Sequence, residues 1–346
     1  MKKPDPNALT RREVLRLGSI GMAALAAGNL ERMALAQQSP RIDIHHHWHP
    51  PPIAWAFDGL AIGPAWPGDE WSLQQALNLL DRFAIQTAIL SIRNPRRRVS
   101  PDDCREVNEL AATIVSKYPR RFGAFALLPQ VDFDDAAAEA VYALDTLKLD
   151  GVLLNASVDN HYLGAAEYEP LMTELNQRRA VVLMHPTAPA YFSELGLELR
   201  SSLIEYVFET TRAIANLIVS GSIERYPEVR LIAPHGGGTA PYIAARLDEN
   251  ATRWHPELAE QAPKGVLHYL KTFYFSTAQA TSRYAFKSLF ELVDSSRVLF
   301  GTDLPVSPPE LVEEYDTVFD AYTDLNAEDR EAIFRGNALR LFPRLA

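Results

Sequence analysis

The sequence has one cysteine in 346 residues, which excludes an intrachain disulfide. That residue, Cys104, lies in a helical pattern, where a small buried side chain is the expected role. Basic residues are also fewer than acidic residues. The sequence has 34 Lys and Arg residues and 44 Asp and Glu residues, which give a formal net charge of −10. A surface of this sign repels phosphate backbones, so no nucleic-acid partner is expected.

Two motifs that would indicate other enzyme classes are absent. No GxGxxG follows the first predicted strand, as a dinucleotide-binding sheet would require. No GxSxG nucleophile elbow occurs, so the HGGG run at 235–238 is not expected to serve a serine esterase. The apolar segment 17–27 is too short, and too rich in Gly and Ala, for a stable membrane span.

Residues 1–36 differ from the rest of the chain and predict an export signal. A basic start precedes the apolar segment, and Ala34-Leu35-Ala36 is typical of a cleavage site. The run TRREVLR at 10–16 resembles the bacterial twin-arginine signal. We therefore predict export by the twin-arginine machinery to the periplasm or beyond, with a mature domain over 37–346. A retained anchor and an ordinary amphipathic helix are the alternatives.

From Arg41 onwards, short β-branched and aliphatic runs alternate with amphipathic patterns. Eight runs predict strands, at 41–47, 87–92, 122–129, 151–156, 180–185, 229–235, 272–277 and 297–302. Helices are predicted at 72–83, 101–118, 133–147, 169–178, 201–226, 241–250, 282–292 and 327–341. This alternation indicates an α/β fold with a parallel sheet, and eight strands favour a closed (β/α)₈ TIM barrel over an open doubly wound sheet.

The first predicted strand ends in a cluster of histidines, within RIDIHHHWHP at 41–50. Because side chains alternate along a strand, Asp43, His45 and His47 are expected on one face and His46 on the other. Two imidazoles two residues apart can bind one metal ion. A solvated polar turn or a purification tag is the alternative, and the strand-like residues before the cluster argue against a tag. His46 and His49 are expected to be structural, with Asp43 a partner rather than a ligand.

Further polar residues follow other predicted strands. His185 ends the fifth run, His235 ends the sixth, and Asp303 comes directly after the eighth. In a parallel barrel these positions meet at one rim, where active sites are built. Three imidazoles and a carboxylate suit Zn²⁺ and also Mn²⁺ or Fe²⁺. A fourth histidine would remain to move protons.

Four motifs together resemble the amidohydrolase superfamily: DIHHHWHP, MHP, SGSIERYPEVRLIAPHGGG with Pro241 and Arg246 after it, and LFGTDLP. More narrowly, they are similar to amidohydrolase family 2, the aminocarboxymuconate-semialdehyde decarboxylase-like branch. The run FETTRAI, which begins at Phe208, resembles the subset that decarboxylates hydroxybenzoates. The likeness extends from about Arg41 to the C-terminus.

This resemblance implies a distorted TIM barrel with one metal ion, Zn²⁺ being the first expectation. It implies the ligands His45, His47, His185 and Asp303, with His235 as the acid–base residue. It also implies that Arg246 reaches the substrate carboxylate of a neighbouring subunit, so a homodimer is expected.

The resemblance covers decarboxylases and hydrolases alike. Many binuclear hydrolases of the superfamily bridge their metals with a carboxylated lysine that ends the fourth strand, whereas here that run reads GVLLNAS and Lys148 precedes it. A mononuclear site is therefore expected. The first hypothesis is non-oxidative decarboxylation of a small aromatic or unsaturated carboxylic acid, with the proton supplied by His235 or Asp303. A metal-dependent lactonase or amidase is the second hypothesis, and a non-catalytic binder is the third.

Overall fold

The computed structural model describes residues 40–53, 71–92, 98–129, 132–159 and 161–346. The predicted leader, 1–36, lies outside these ranges, so the export signal and its cleavage remain predictions. Among the described residues, no helix combines the length and the apolar character needed to cross a membrane.

Eight parallel strands form one sheet in which neighbours follow the order of the chain. They are β1 (Arg41–Trp48), β2 (Ile85–Ile92), β3 (Phe122–Ala126), β4 (Gly151–Asn155), β5 (Val181–His185), β6 (Arg230–Ala233), β7 (Tyr274–Ser276) and β8 (Val298–Leu299). A small antiparallel hairpin, Ser157–Val158 with His161–Tyr162, lies between β4 and β5.

The sheet closes because β1 also bonds to the chain around β8. The Ile44 N–H donates to the Phe300 carbonyl at 3.0 Å, and the Asp303 N–H donates to the His45 carbonyl at 2.8 Å. The predicted (β/α)₈ TIM barrel is therefore confirmed, and the open sheet is the wrong alternative. Closure also brings the residues after β8 next to the histidines of β1.

One main helix follows each strand. These are α1 (Leu73–Arg82), α2 (Pro101–Lys117), α3 (Phe133–Val141), α4 (Glu169–Gln177), α5 (Glu205–Val219), α6 (Ala240–Trp254), α7 (Arg283–Leu292) and α8 (Pro309–Ala321). Shorter helices lie at Ser222–Arg225, Leu258–Gln261, Val266–Leu270, Ala327–Glu331 and Asn337–Leu341. Ser72, Ser100, Asp132 and Ser282 each accept a backbone N–H at the start of a main helix, which fixes where it begins.

Two of the main helical regions differ from the sequence prediction, and the short helices Leu258–Gln261 and Val266–Leu270 were not predicted either. The single helix expected over 201–226 is interrupted after α5, where Gly221 takes a left-handed backbone with φ of 72°. Helix α8 was not predicted, because Pro308-Pro309 at its start is typical of a loop. Proline is nonetheless compatible with the first turn of a helix, where its missing N–H has no partner to lose.

Between Asp43 and His46, β1 contains one extra residue relative to the paired segment of β2. Asp43 pairs with Ala88 and His46 pairs with Leu90, so three steps along β1 match two along β2. This bulge breaks the strict alternation expected for the first strand. Asp43 consequently lies against His46, with its Oδ2 3.1 Å from His46 Nδ1, instead of sharing a face with His45 and His47.

Candidate metal centre

Four potential ligands meet at the carboxyl ends of the barrel strands. His45 and His47 come from β1, His185 ends β5, and Asp303 follows β8. All four are at least 96% buried, and the atoms that each could offer to a metal lie within 4.8 Å of one another. The structure thus brings together the four residues that the sequence assigns as ligands, although binding of an ion remains a prediction.

The contacts inside this group are short and polar. Asp303 Oδ1 lies 2.8 Å from His47 Nε2 and 3.3 Å from His45 Nε2, and the two imidazole nitrogens are 3.2 Å apart. Three nitrogens and a carboxylate oxygen in one buried space form a donor set suited to a divalent transition metal. The residues present therefore fit the expected ion.

The protonation states also suit a metal. Burial and the neighbouring imidazoles hold the pKa of His185 well below its usual range. Burial by itself would raise the pKa of Asp303, but the adjacent imidazoles of His45 and His47 outweigh it and hold that pKa well below the usual value. A neutral histidine and an ionised aspartate are the forms that bind metals, so the ion meets little competition from protons.

Hydrogen bonds at the far side of two rings orient them. The Ser91 hydroxyl uses its single hydrogen to donate to the His46 carbonyl at 3.0 Å. Its oxygen can therefore only accept a hydrogen bond from His47, whose Nδ1 lies 3.1 Å away. His185 Nδ1 donates to the Pro186 carbonyl at 3.0 Å, since a carbonyl can only accept. Both rings therefore present an unprotonated Nε2 to the centre, the arrangement seen when a partner fixes the tautomer of a metal-binding histidine.

Asp43 connects the two strands that supply three of the four residues. Its Oδ1 accepts the backbone N–H groups of His45 and Thr302, both at 3.1 Å. Its Oδ2 accepts the Thr302 hydroxyl at 2.5 Å and contacts His46 Nδ1. Asp43 is completely buried, so these bonds replace water around its charge. It supports the geometry of the centre without facing it.

His235 lies beside the four residues, in the turn after β6. Its ring centroid is 5.2 Å from that of His45 and 6.3 Å from that of His185. Burial, followed by the nearby His45, lowers the pKa of His235 to about 3, so the ring is neutral at ordinary pH. Its Nδ1 is buried and has no hydrogen-bond partner within the described parts of the chain.

The three glycines after His235 shape this turn, and all have positive φ. Gly238 cannot be replaced, because a Cβ there would lie 2.1 Å from the Val207 carbonyl oxygen of α5. The turn packs directly against α5 and fixes the position of His235.

Arg246 does not join the group within one chain. It lies on α6, where its exposed side chain lines a groove together with Ile218 and Leu258. Its contact with a neighbouring subunit stays a prediction.

Two polar residues close to the centre were not identified from the sequence. The Gln279 side-chain amide donates to Asp303 Oδ2, and Glu209 is completely buried on α5. Glu209 accepts the Ser157 hydroxyl at 3.0 Å, and that hydroxyl lies 3.3 Å from the hydroxyl of Thr187, two residues after His185. Gln279 follows β7 as the other site residues follow their strands, which is the signal that could have found it.

Comparison with known proteins agrees with this architecture. A family model described as Amidohydrolase matches residues 42–344. The chain is 34% identical over 316 residues to 6-methylsalicylic acid decarboxylase of Penicillium expansum, a match that covers 88% of this chain and 97% of that protein. It is 29% identical over 307 residues to gamma-resorcylate decarboxylase of Rhodococcus jostii, covering 80% of this chain and 92% of the relative.

Solved structures show the same fold. A dihydroxybenzoic acid decarboxylase from a Polaromonas species, crystallised with manganese and the inhibitor 2-nitroresorcinol, superposes with a TM-score of 0.76 at 23% identity, covering 88% of this chain and 97% of that one. The family match, the relatives above 30% identity and the shared barrel lead to one assignment. The chain belongs to the amidohydrolase family and is an enzyme of the amidohydrolase superfamily.

Proposed function

We propose that this enzyme catalyses the metal-dependent, non-oxidative decarboxylation of a small aromatic or unsaturated carboxylic acid, with hydroxybenzoates as the first candidates. The observation that carries this proposal is the buried group of three histidines and one aspartate with a neutral fourth histidine beside it. The names of the relatives from Penicillium and Rhodococcus, both decarboxylases of hydroxylated aromatic acids, support it.

His45, His47, His185 and Asp303 would hold one divalent ion, with Zn²⁺ proposed first and Mn²⁺ or Fe²⁺ as alternatives. Manganese in the Polaromonas structure supports the second choice. When bound, such an ion draws electron density from the substrate carboxylate and from an adjacent oxygen, which stabilises the charge that develops as CO₂ leaves.

His235 would move the proton. Burial keeps the His235 ring neutral before the reaction, so its unprotonated nitrogen can accept the proton of a substrate hydroxyl. Once protonated, it can return that proton to the carbon that loses CO₂. Its burial keeps bulk water away from this exchange, which strengthens the electrostatic interactions of the transferred proton.

Hydrolysis of a lactone or amide remains the second candidate function, because a single ion can also activate a water molecule. The position of Lys148 bears on this choice. It precedes β4, whose last residue at the rim is Asn155, so no lysine ends that strand as a bridge between two metals.

A panel assay distinguishes the two. The enzyme, reconstituted separately with Zn²⁺ and Mn²⁺, is supplied with hydroxybenzoates, lactones and amides, and CO₂ release is measured alongside hydrolysis. Release of CO₂ from at least one hydroxybenzoate is expected. Turnover of lactones or amides, with no CO₂ from any acid, would contradict the proposal.

We also propose that the enzyme is a homodimer in which Arg246 completes the site of its partner. Mixing Arg246→Ala with His235→Ala subunits tests this directly. If Arg246 acts across the interface, each mixed dimer contains one complete site, and about a quarter of wild-type activity returns on random mixing. If Arg246 acts within its own chain, no mixture regains activity.

The leader supports a further proposal, that the enzyme is exported to the periplasm and begins near Gln37. Cell fractionation with N-terminal sequencing checks it, with Arg11→Lys/Arg12→Lys as the variant expected to stay inside. Equal export of that variant would contradict a twin-arginine route.

A further inference from the structure

The two oxygens of Asp303 have different surroundings. Oδ1 faces the imidazoles of His45 and His47 and lies among the atoms that could hold a metal. Oδ2 points the other way and accepts a hydrogen bond from the side-chain amide of Gln279. One oxygen is thus directed to the centre while the other is bound to a neutral donor.

Gln279 is held in place from several sides. Its backbone is left-handed, with φ of 49°, which is uncommon for a residue other than glycine and must be stabilised by its surroundings. Its N–H donates to the hydroxyl of the buried Tyr315 at 2.8 Å. Its amide nitrogen also lies 3.3 Å from Ser307 Oγ, and the Ser307 N–H donates to the Asp303 carbonyl at 2.8 Å.

The chemistry of this contact is directional. An amide N–H can only donate, so it occupies a lone pair of Oδ2. The contact therefore restrains the carboxylate to act as a ligand through Oδ1.

We propose that Gln279 is a positioning residue that directs Oδ1 of Asp303 to the metal. The inference rests on the proposed metal centre and on no particular reaction.

Three substitutions test the role of the amide. Gln279→Met keeps the length of the side chain and removes the donor, and Gln279→Glu places a carboxylate against Oδ2. Gln279→Asn keeps an amide, but the shorter side chain cannot reach Asp303 Oδ2. Asparagine tolerates a left-handed backbone, so of the three variants this one should disturb folding least. Gln74→Met is the matched control, since it removes an amide that donates to Asn78 on the surface of α1.

The first measurement is metal affinity, obtained by competition with a chelator for Zn²⁺ and for Mn²⁺. Loss of an outer partner of a ligand typically weakens affinity by about 10- to 100-fold, so this range is expected for the Met and Asn variants, with a larger loss for Glu. Gln74→Met should match the wild type. This readout does not depend on turnover, so it separates failure of the inference from failure of the proposed reaction.

The second measurement is the visible absorption of the Co²⁺-substituted protein. If Gln279 restrains Asp303 to one oxygen, the freed Oδ2 in Gln279→Met can also bind the ion, and the absorption weakens as the coordination number rises. A merely structural role would instead lower the melting temperature of the metal-free protein. Metal affinities within threefold of wild type in all three variants, with an unchanged Co²⁺ spectrum, would overturn the inference.

Discussion

The two halves of the candidate centre are supported in different ways. On the β1 and β8 side, side chains of Asp43, Ser91 and Gln279 contact the residues that bear the ligands. On the β5 and β6 side, the His185 ring donates to a backbone carbonyl. His235 Nδ1 has no partner among the described residues, and the same is true of His45 Nδ1 on the β1 side.

This difference corresponds to two chemical tasks. A metal site requires ligands held in a fixed geometry, which a network of side-chain hydrogen bonds provides. A residue that accepts and returns a proton needs a ring nitrogen that is not already committed to a protein partner. We infer that the β1 and β8 half, together with His185, holds the ion and that His235 transfers the proton, so substitutions of the ligands and of His235 should separate the two effects.

The largest expected effect comes from His235→Gln. Loss of a general acid–base group typically lowers turnover by about 100- to 10,000-fold, and His235 is not among the four ligands. Metal content should stay equal to that of the wild type, as measured by elemental analysis beside steady-state kinetics. Loss of the metal together with activity would show that the two halves are not separable.

Asp303→Ala should affect the metal itself. A structural zinc site contributes about 10–16 kcal/mol shared among four ligands, so the loss of one charged ligand should weaken affinity by about 100-fold or more. Chelator competition measures the loss, and Asp145→Ala, which removes an exposed carboxylate paired with Arg178, is the control. Retained affinity in Asp303→Ala would exclude it as a ligand.

Asp43→Asn tests the support behind β1. The amide can accept the two N–H bonds at one atom, but its other atom would face the Thr302 hydroxyl and His46 as a donor. We expect metal affinity to fall by about 10- to 100-fold and stability by about 1–3 kcal/mol. Denaturant unfolding of the metal-free protein measures the second effect, and an unchanged midpoint would contradict this role of Asp43.

Ser91→Ala is expected to have the smallest effect. It removes one acceptor from His47 Nδ1 and leaves the ring in its buried site. We therefore expect metal affinity to fall by about tenfold, the lower end of the range typical for loss of an outer partner of a ligand. Thr113→Ala is a suitable control, because it removes an exposed hydroxyl that donates to the Glu109 carbonyl on the surface of α2. If Ser91→Ala lost as much metal affinity as Asp303→Ala, the tautomer of His47 would control metal binding as strongly as a ligand does.

The barrel could be predicted because eight buried runs recur between helical patterns, and burial on both faces leaves a strong apolar signal in each strand. The group of His45, His47, His185 and Asp303 could be predicted because parallel strands end at one rim, which brings together residues distant in sequence. Topology places these four residues at the rim together with His235, and the resemblance to the amidohydrolase superfamily is what distinguishes the four ligands from His235.

The remaining features depend on contacts between elements. The bulge in β1, which places Asp43 against His46, arises from pairing with β2 and leaves no mark in the sequence of β1 itself. Gln279 was missed because an amide is not a typical metal ligand, and its role becomes visible only when the end of β7 lies next to Asp303. Helix α8 was missed because its two prolines indicate a break when no neighbouring structure is known.

Metal content per chain tests the central claim most directly. The wild-type protein and the His47→Ala and Asp303→Ala variants are each reconstituted with a divalent transition metal, dialysed and examined by elemental analysis. About one divalent transition-metal ion per chain is expected in the wild type and markedly less in both variants. A wild-type protein that retains no transition metal after reconstitution, or variants that retain as much as the wild type, would contradict it.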